Sequence, residues 1–311
     1  MEKLIKDFND LERVSGQFLV VNVTKGVNNN TGMGYLSIEL RDSSGNIVAK
    51  KWDSTPNDDA IFVAGNVVYV EGDTNKYKDN LQLKILNAKQ VPLEEIDPTK
   101  FVKAPPIPAE ELIKRYNEYI ESINNEDAKK LVKYLADKFK EKLYVYPAAV
   151  SIHHEYASGL LMHSTTMAKV ADELCKIYPL DRDILISGIL LHDIGKCIEF
   201  EGPAVYHYSL EGKLLGHISI MVSELRKAAE KLEITSEVPL LLEHMVLSHH
   251  DKPEYGSPVP PLTKEALALT IIDNLDSKMV ILDKALEVTN EGEFSAKIFA
   301  LDGRMFYKPK K

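Results

Sequence analysis

Residues 190–196 have the sequence Leu190-Leu191-His192-Asp193-Ile194-Gly195-Lys196, and they follow the almost wholly apolar segment Ile184–Ile189. Such a segment is typical of a helix that is buried on all sides. Because an uncompensated buried charge costs several kcal/mol or more, an imidazole and a carboxylate at the end of a core helix need a strong partner. A metal cation bound by both side chains is one interpretation, and a structural histidine beside a capping aspartate is the other. We interpret Gly195 as the helix stop, which leaves Lys196 projecting from the turn.

The composition is that of an ordinary globular protein, with 311 residues, 44% of them hydrophobic, which suits two domains. No apolar run approaches the roughly 18 residues that cross a bilayer, and the start of the chain lacks a leader-like apolar segment, so we expect a soluble cytoplasmic protein. Cys175 and Cys197 are too few for a disulfide framework and form no CxxC motif. A bound metal must therefore be held by histidine and carboxylate. The net charge of −9 argues against a protein that coats nucleic acid by bulk charge.

The first part of the chain, from about residue 15 to 91, has the composition and alternation of β-strands. Turn-forming residues separate the segments, including Asp42–Gly45 and Asp73–Asn75. Pro56–Phe62 leaves room for one short helix between the third and fourth strands. The five predicted strands are 16–24, 34–40, 46–52, 66–71 and 80–86. Five strands with a helix between the third and fourth resemble the OB-fold barrel.

The resemblance to OB-fold modules implies that single-stranded nucleic acid binds across strands two and three and the adjoining loops. Aromatic planes among lysines are suited to base stacking and phosphate neutralisation. The alternative is that Trp52 and Tyr35 fill the barrel core and the lysines are merely solvated. The residues at these positions are Lys25, Tyr35, Lys50, Lys51, Trp52, Lys76, Tyr77 and Lys78.

A proline-rich stretch at residues 92–108 separates this region from a helical one, and we interpret it as a semi-stiff linker. The predicted organisation is a barrel over 1–91, a linker over 92–108, a helical domain over 109–293 and a tail over 294–311. An amphipathic helix pair begins after residue 109, and further helices are predicted at 157–177, 181–193, 214–232, 237–249 and 263–288. Leu301–Arg304 is a predicted tight turn in the tail.

All nine histidines lie between residues 153 and 250. His163 begins one predicted helix, His217 begins another, His249 and His250 end a third, and Asp273 lies within an almost wholly apolar one. Taken singly, each histidine is more consistent with a structural role. Imidazoles and carboxylates that converge from separate buried helices are nevertheless the components of a two-metal site in a helical bundle.

The order of His163, His192-Asp193 and Asp273 resembles the HD-domain superfamily of metal-dependent phosphohydrolases, which have a helical fold. His217 and His249-His250 resemble the additional histidines of its two-metal members. The resemblance implies two cations about 3.5 to 4 Å apart, with Asp193 as the bridge. The implied metal ligands are His163, His192, Asp193, His217, His249 and Asp273.

The wider sequence is similar to the YhaM family of bacterial 3′-to-5′ exoribonucleases. The matching segments are His153–Tyr156, Gly159–Ser164, Leu191–Lys196, Ser248–His250, Tyr255–Pro258 and Asp273–Lys278, beside the N-terminal barrel. The overall fold class is then multidomain, a small all-β OB-fold barrel followed by an all-α HD-domain bundle. Departures are small: Ala157-Ser158-Gly159 lacks a second glycine that relatives often have, and Met162 stands where an acid is common.

The resemblance implies hydrolysis of single-stranded RNA, with single-stranded DNA as a further candidate, to 5′-mononucleotides by a hydroxide that two metal ions activate. Mn²⁺ is favoured, and Co²⁺, Fe²⁺ or Zn²⁺ also suit mixed nitrogen and oxygen ligands. Lys196 is expected to stabilise charge on the phosphate oxygens. We favour His249 as the ligand and His250 as a phosphate contact or second ligand. His153 and His154 are either substrate contacts or a structural loop pair.

Two other functions remain open on the sequence. The first is an HD phosphohydrolase that acts on small or cyclic nucleotides. The second is a nucleic-acid-binding replication factor whose hydrolysis is incidental. Self-association into a homo-oligomer is a further expectation that the sequence does not decide.

Overall fold

The computed structural model describes residues 3–27, 31–77, 80–97, 100–101, 107–148, 157–202 and 207–310. The chain divides into two compact units, Met1–Ala104 with Glu201–His207, and Pro105–Phe200 with Tyr208–Lys311. The predicted contacts His153, His154 and Lys78 lie outside the described residues.

The first unit contains a closed five-stranded barrel in the order β1-β2-β3-β5-β4. All neighbouring strands are antiparallel except β3 and β5, which are parallel. A short helix, α1 (Pro56–Ile61), precedes β4 and begins at a capping box between Thr55 and Asp58. The strands are β1 Arg13–Val27, β2 Gly34–Asp42, β3 Gly45–Trp52, β4 Val67–Tyr77 and β5 Asn80–Gln90. This order confirms the predicted OB-fold barrel.

The barrel core follows from the two-residue alternation of its strands. Along β2, Leu36, Ile38 and Leu40 are buried while the residues between them are partly exposed. These side chains pack with buried residues of the other strands, including Phe18 and Leu83. One side of each strand therefore fills the interior, while on the other side Leu19 of β1 and Val67 of β4 pack in a second, smaller buried cluster with Val91 and Phe101.

The predicted turn at Asp73–Asn75 is wrong, because these residues continue β4. Asp73 pairs with Lys84, and Asn75 pairs with Gln82 on β5. The Thr74 side chain is buried, and its hydroxyl accepts a hydrogen bond from the Glu12 amide at 2.9 Å. Pairing with a neighbouring strand and a buried hydroxyl outweigh the local preference of these residue types for turns.

The second unit is helical, as predicted. Besides the barrel strands and the helices, the chain has two short strands that pair with each other, β6 (Phe200–Glu201) and β7 (His207–Tyr208). The helices are α2 Ala109–Glu121, α3 Glu126–Leu143, α4 Gly159–Ile177, α5 Arg182–Leu191, α6 Lys196–Glu199, α7 Leu210–Lys231, α8 Val238–Ser248 and α9 Lys264–Glu287. Among the described residues, none of the helices combines the length and apolar character that crossing a membrane requires.

Helix α5 lies at the centre of this unit. Every residue from Ile184 to Leu191 is buried, and helices α2, α3, α4, α8 and α9 contact it. The Asp181 side chain caps its N-terminus by accepting from the Ile184 amide at 3.1 Å. Near its C-terminus, the buried Tyr116 hydroxyl donates to the Leu190 carbonyl at 2.8 Å. The prediction of a helix buried on all sides is confirmed.

Gly195 does not have the predicted role of a helix stop. Its φ of −54° and ψ of −23° are right-handed helical values, and helix α5 already ends at Leu191. Lys196 begins α6 and is buried rather than projecting. A glycine is needed here because a β-carbon would lie 2.2 Å from the carbonyl oxygen of His217.

The tail contains the predicted turn. Asp302 and Gly303 have φ values of 58° and 69°, and Ile298 pairs with Arg304 across them. Lys308 donates from Nζ to the Thr289 carbonyl at 2.8 Å, just after α9.

Candidate metal centre

The six residues predicted as metal ligands converge inside the helical unit. They come from five different helices or helix ends, and His163, His192, Asp193 and His249 are each at most 3% exposed. Their positions are His163 on α4, His192 and Asp193 directly after α5, His217 on α7, His249 directly after α8, and Asp273 on α9. Burial of so many ionisable groups at one place requires a compensating charge.

The side chains form two groups whose donor atoms lie within 4.8 Å of one another. The first group is His163, His192 and Asp193, and the second is His217, His249 and His250. Asp273 belongs with the first group, because its Oδ1 lies 3.2 Å from His163 Nε2.

Asp193 lies between the two groups and turns one oxygen toward each. Its Oδ2 is 3.5 Å from His192 Nε2 and 3.8 Å from His163 Nε2. Its Oδ1 is 3.5 Å from His217 Nε2 and 4.0 Å from His249 Nε2. A carboxylate in this position has the geometry of a bridge between two cations.

Four buried polar atoms at this centre have no hydrogen-bond partner among the described residues: His192 Nε2, His217 Nε2, His249 Nε2 and Asp193 Oδ1. An unsatisfied buried polar atom costs about 1–3 kcal/mol, so four at one place need an explanation. Ligand atoms about 2.0–2.2 Å from a shared ion lie roughly 3–3.5 Å from each other, close to the separations from Asp193. The residues therefore fit divalent cations.

In three histidines, a hydrogen bond from Nδ1 to a backbone carbonyl fixes the tautomer of the ring. A carbonyl oxygen can only accept, so each Nδ1 carries the proton and each Nε2 keeps its lone pair for a metal. The three bonds are His192 Nδ1 to the Ile189 carbonyl at 2.8 Å, His249 Nδ1 to the Val246 carbonyl at 2.7 Å, and His250 Nδ1 to the Tyr255 carbonyl at 2.7 Å.

The pKa shifts of the residues at this centre agree with metal binding. Burial opposes ionisation of Asp193, but the nearby Lys196 ammonium holds the pKa of this carboxyl well below its usual range. Burial lowers the pKa of His192 and of His249, so both are neutral at pH 7. Burial also disfavours charge on His163, yet hydrogen bonds with Asp273 and Asp276 raise its pKa to about 10. A cation bound at this position would displace that proton.

Lys196 directly contacts the proposed bridge. Its Nζ lies 2.6 Å from Asp193 Oδ2, and the residue is 8% exposed. A buried ammonium at this distance stabilises the ionised carboxylate. Sequence reasoning placed Lys196 beside the centre but did not anticipate this ion pair.

The two cysteines do not have the properties of nucleophiles. Burial raises the pKa of the Cys197 thiol to about 12, and burial also raises the pKa of Cys175. Neither is a thiolate at neutral pH.

On the barrel, Tyr35 and Trp52 lie directly opposite each other on β2 and β3. Their ring centroids are 4.9 Å apart, and Trp52 is 39% exposed. Neither ring belongs to the barrel core, so the alternative in which they fill it is wrong. Lys50 Nζ lies 5.2 Å from the Tyr35 centroid. The pair forms an accessible aromatic surface with a cation beside it.

The other predicted barrel contacts are more dispersed. Lys51 donates from Nζ to the Leu86 carbonyl at 3.3 Å, and Lys25 pairs with Asp59 at 2.6 Å. Tyr77, at the end of β4, is 57% exposed. Tyr35 contacts both Trp52 and Lys50 and is the centre of the predicted surface.

A family model described as "HD domain" matches residues 160–278. A protein of Geobacillus sp. (strain WCH70) named "3'-5' exoribonuclease YhaM" is 44% identical over 311 residues, 99% of this chain and 96% of the relative. A protein of the same name from Bacillus velezensis is 44% identical over 300 residues, 96% of this chain and 95% of the relative.

The chain belongs to the YhaM family.

This membership confirms the resemblance to that family and to the HD domain. A solution structure of the second OB-fold domain of replication protein A from Methanococcus maripaludis is 18% identical, covers 31% of this chain and 98% of that domain, and has a TM-score of 0.25. That score is too low to support a conclusion, so the OB-fold of this YhaM-family chain rests on its own strand order.

Two carboxylates of this YhaM-family centre were not identified from the sequence. Asp276 Oδ2 lies 2.6 Å from His163 Nδ1, and Glu199 Oε1 lies 3.2 Å from His217 Nδ1. The spacing of Asp276 from Asp273 on one helix face was an available signal. No such signal indicated Glu199, because its partner His217 lies 18 residues further along the chain and belongs to a different helix.

Proposed function

We propose that this chain is a metal-dependent 3′-to-5′ exoribonuclease that hydrolyses single-stranded RNA to 5′-mononucleotides, with single-stranded DNA as a second substrate. The observation that supports it best is Asp193, with one oxygen toward each of two histidine groups, in a chain whose 44%-identical relatives carry the name of such an enzyme. Hydrolysis breaks the bond between the last phosphorus and the 3′ oxygen of the preceding nucleotide, so the released nucleotide keeps its 5′ phosphate.

In this proposal Asp193 would contribute one carboxylate oxygen to each of two ion sites. His163, His192 and Asp273 complete the first site, and the histidines of the second group complete the other. His249 and His250 both have Nε2 free of their carbonyl partners, so we assign both to the second ion. Bound ions would supply Lewis-acid activation of water and neutralise charge on the phosphate. Mn²⁺ is favoured for these donors, and Co²⁺, Fe²⁺ or Zn²⁺ are alternatives.

The chain's own residues then have distinct tasks. Asp193 fixes the spacing of the two sites, and Lys196 keeps that carboxylate ionised through the 2.6 Å ion pair. We assign the ammonium a second task, which is to stabilise negative charge on a phosphate oxygen of the substrate. The hydrogen bonds at Nδ1 hold the imidazoles in the ligating tautomer without reorganisation.

An end-labelling experiment tests the proposal. With Mn²⁺, RNA labelled at its 3′ end should release labelled mononucleotide at once, whereas RNA labelled at its 5′ end should shorten progressively. A covalently closed circular RNA is the matched control and should survive. Hydrolysis of cyclic or free nucleotides with intact RNA would instead indicate a small-nucleotide phosphohydrolase. Binding without degradation would indicate a replication factor.

Trp52→Ala or Tyr35→Ala should weaken RNA binding, because the ring pair offers a stacking surface outside the barrel core. The expected loss is about 1–3 kcal/mol per stacked base. The dissociation constant is measured in an Asp193→Asn background, where the RNA should survive. Tyr178→Ala is the control, since Tyr178 is 57% exposed on the helical unit. Unchanged affinity in both barrel variants would refute the assigned surface.

Self-association remains a prediction. Its most suitable surface is the exposed apolar stripe Leu267, Ile271, Leu275 and Met279, at four-residue spacing on α9 and 48–56% exposed. Light scattering of the purified protein would give its mass, and Ile271→Glu should reduce an oligomer to the monomer.

A further inference from the structure

Glu199 contacts the proposed second ion site without being one of its ligands. It ends α6 and is 6% exposed. Its Oε1 accepts two hydrogen bonds from one residue, from the His217 backbone amide at 3.0 Å and from His217 Nδ1 at 3.2 Å. We propose that Glu199 is a positioning residue that sets the affinity of the second metal ion by holding His217; this inference rests on the two-ion proposal above.

The backbone at His217 requires such a partner. Gly216 has φ 69° and ψ 155°, which interrupts α7 immediately before His217. The amide of a residue that restarts a helix has no intrahelical acceptor. An anion near the first turn of a helical segment is also favoured by the helix dipole. The Glu199 carboxylate therefore acts as the cap of the second segment of α7.

The position of Glu199 is fixed by its own backbone. The Ser209 amide donates to the Glu199 carbonyl at 2.9 Å, and the Ser209 hydroxyl donates to the Ile198 carbonyl at 2.9 Å. A β-carbon at Gly212 would lie 2.3 Å from the Glu199 carbonyl oxygen, so the start of α7 packs directly on this residue. The Glu199 side chain is therefore fixed at its backbone by α6 and at its carboxylate by the hydrogen bonds from His217.

This contact determines what His217 offers to a metal. A carboxylate accepts a hydrogen bond, so Nδ1 carries the proton and Nε2 keeps its lone pair toward Asp193 Oδ1, 3.5 Å away. His192 and His249 use carbonyls three residues earlier in their own helices. His217 instead depends on a side chain from another element, so its orientation can be altered by one substitution.

The first ion site has a parallel contact, which provides a matched control. Asp276 Oδ2 lies 2.6 Å from His163 Nδ1. Loss of a partner of this kind typically costs about 10- to 100-fold in metal affinity. Glu199 substitutions should therefore weaken the ion beside His217, and Asp276 substitutions the ion beside His163.

The test is Mn²⁺ binding to the full chain by isothermal titration calorimetry, with no substrate present. The wild type should bind two ions. Glu199→Ala, and Glu199→Asp, which is one methylene too short to reach His217, should weaken one ion about 10- to 100-fold. Glu199→Gln keeps an oxygen acceptor at the right reach and should stay close to wild type. Asp276→Ala should weaken the other ion.

Two ions bound with wild-type affinity by both Glu199→Ala and Glu199→Asp would overturn this inference alone. A wild-type chain that binds fewer than two ions would refute the two-ion proposal and this inference with it. Circular dichroism and thermal melting check that each variant is folded, and Glu199→Asp keeps the charge if the alanine variant does not fold.

Discussion

Asp193→Ala is expected to abolish RNA degradation. Its two oxygens face the two histidine groups at 3.5 Å each, so its removal eliminates a ligand from both proposed ion sites. Metal ions contribute several kcal/mol to such reactions, and a loss of that size corresponds to a rate decrease of about a thousandfold or more. The measurement is release of mononucleotides from 3′-labelled RNA. Asp137→Ala, at an exposed aspartate of α3, is the control and should behave as wild type.

The alanine variant also leaves Lys196 as a buried charge without its partner at 2.6 Å, which costs about 3–5 kcal/mol. Asp193→Asn separates the loss of hydrolysis from a loss of stability, because the asparagine amide oxygen still accepts a hydrogen bond from Lys196. It should retain the fold and the RNA affinity of the barrel while losing hydrolysis. Degradation at the wild-type rate by either variant would show that the centre is not the site of reaction.

Gly195→Ala is expected to have the second largest effect. The added β-carbon would lie 2.2 Å from the His217 carbonyl oxygen and 3.0 Å from its carbonyl carbon. Backbone atoms cannot move aside as a side-chain rotamer does, so the overlap must displace α6 or α7. Overpacking of a buried site costs about 1–3 kcal/mol, occasionally more. The free energy of unfolding of the helical unit, from denaturant titration, should fall by at least that amount.

The same displacement moves His217 away from Asp193, so Gly195→Ala should also lose one bound ion and its nuclease activity. Gly45→Ala is the control, since nothing lies within 4 Å of a β-carbon there. An alanine variant as stable and active as wild type would mean that the close approach of α6 and α7 is not required.

Periodicity and turn chemistry were sufficient for the five barrel strands and the long helices, including the buried α5, but not for the short helix α6 or the strands β6 and β7. They failed where a distant partner decides the local structure. Asp73–Asn75 has turn-forming residues, yet pairing with β5 keeps it extended. Gly195 was interpreted from its own conformational freedom, whereas the carbonyl of His217 is what excludes a β-carbon.

The convergence of the six predicted ligands was predictable because they are rare residue types in apolar helices, in an order that resembles a known superfamily. The side chains that hydrogen-bond to these histidines were harder to predict from the sequence. Asp276 shares a helix face with Asp273 and could have been inferred from spacing, but Glu199 reaches His217 only because Gly216 breaks α7. The grouping of the histidines depends on how α4, α5, α7 and α8 pack against one another. The sequence pattern of one helix carries no information about that packing.

The most direct test of the central claim is an anomalous difference map from crystals grown with Mn²⁺. We predict two peaks about 3.5–4 Å apart, one on each side of the Asp193 carboxylate, with His163 and His192 at one and His217 and His249 at the other. A single peak, or peaks that Asp193 does not contact, would contradict the two-ion centre.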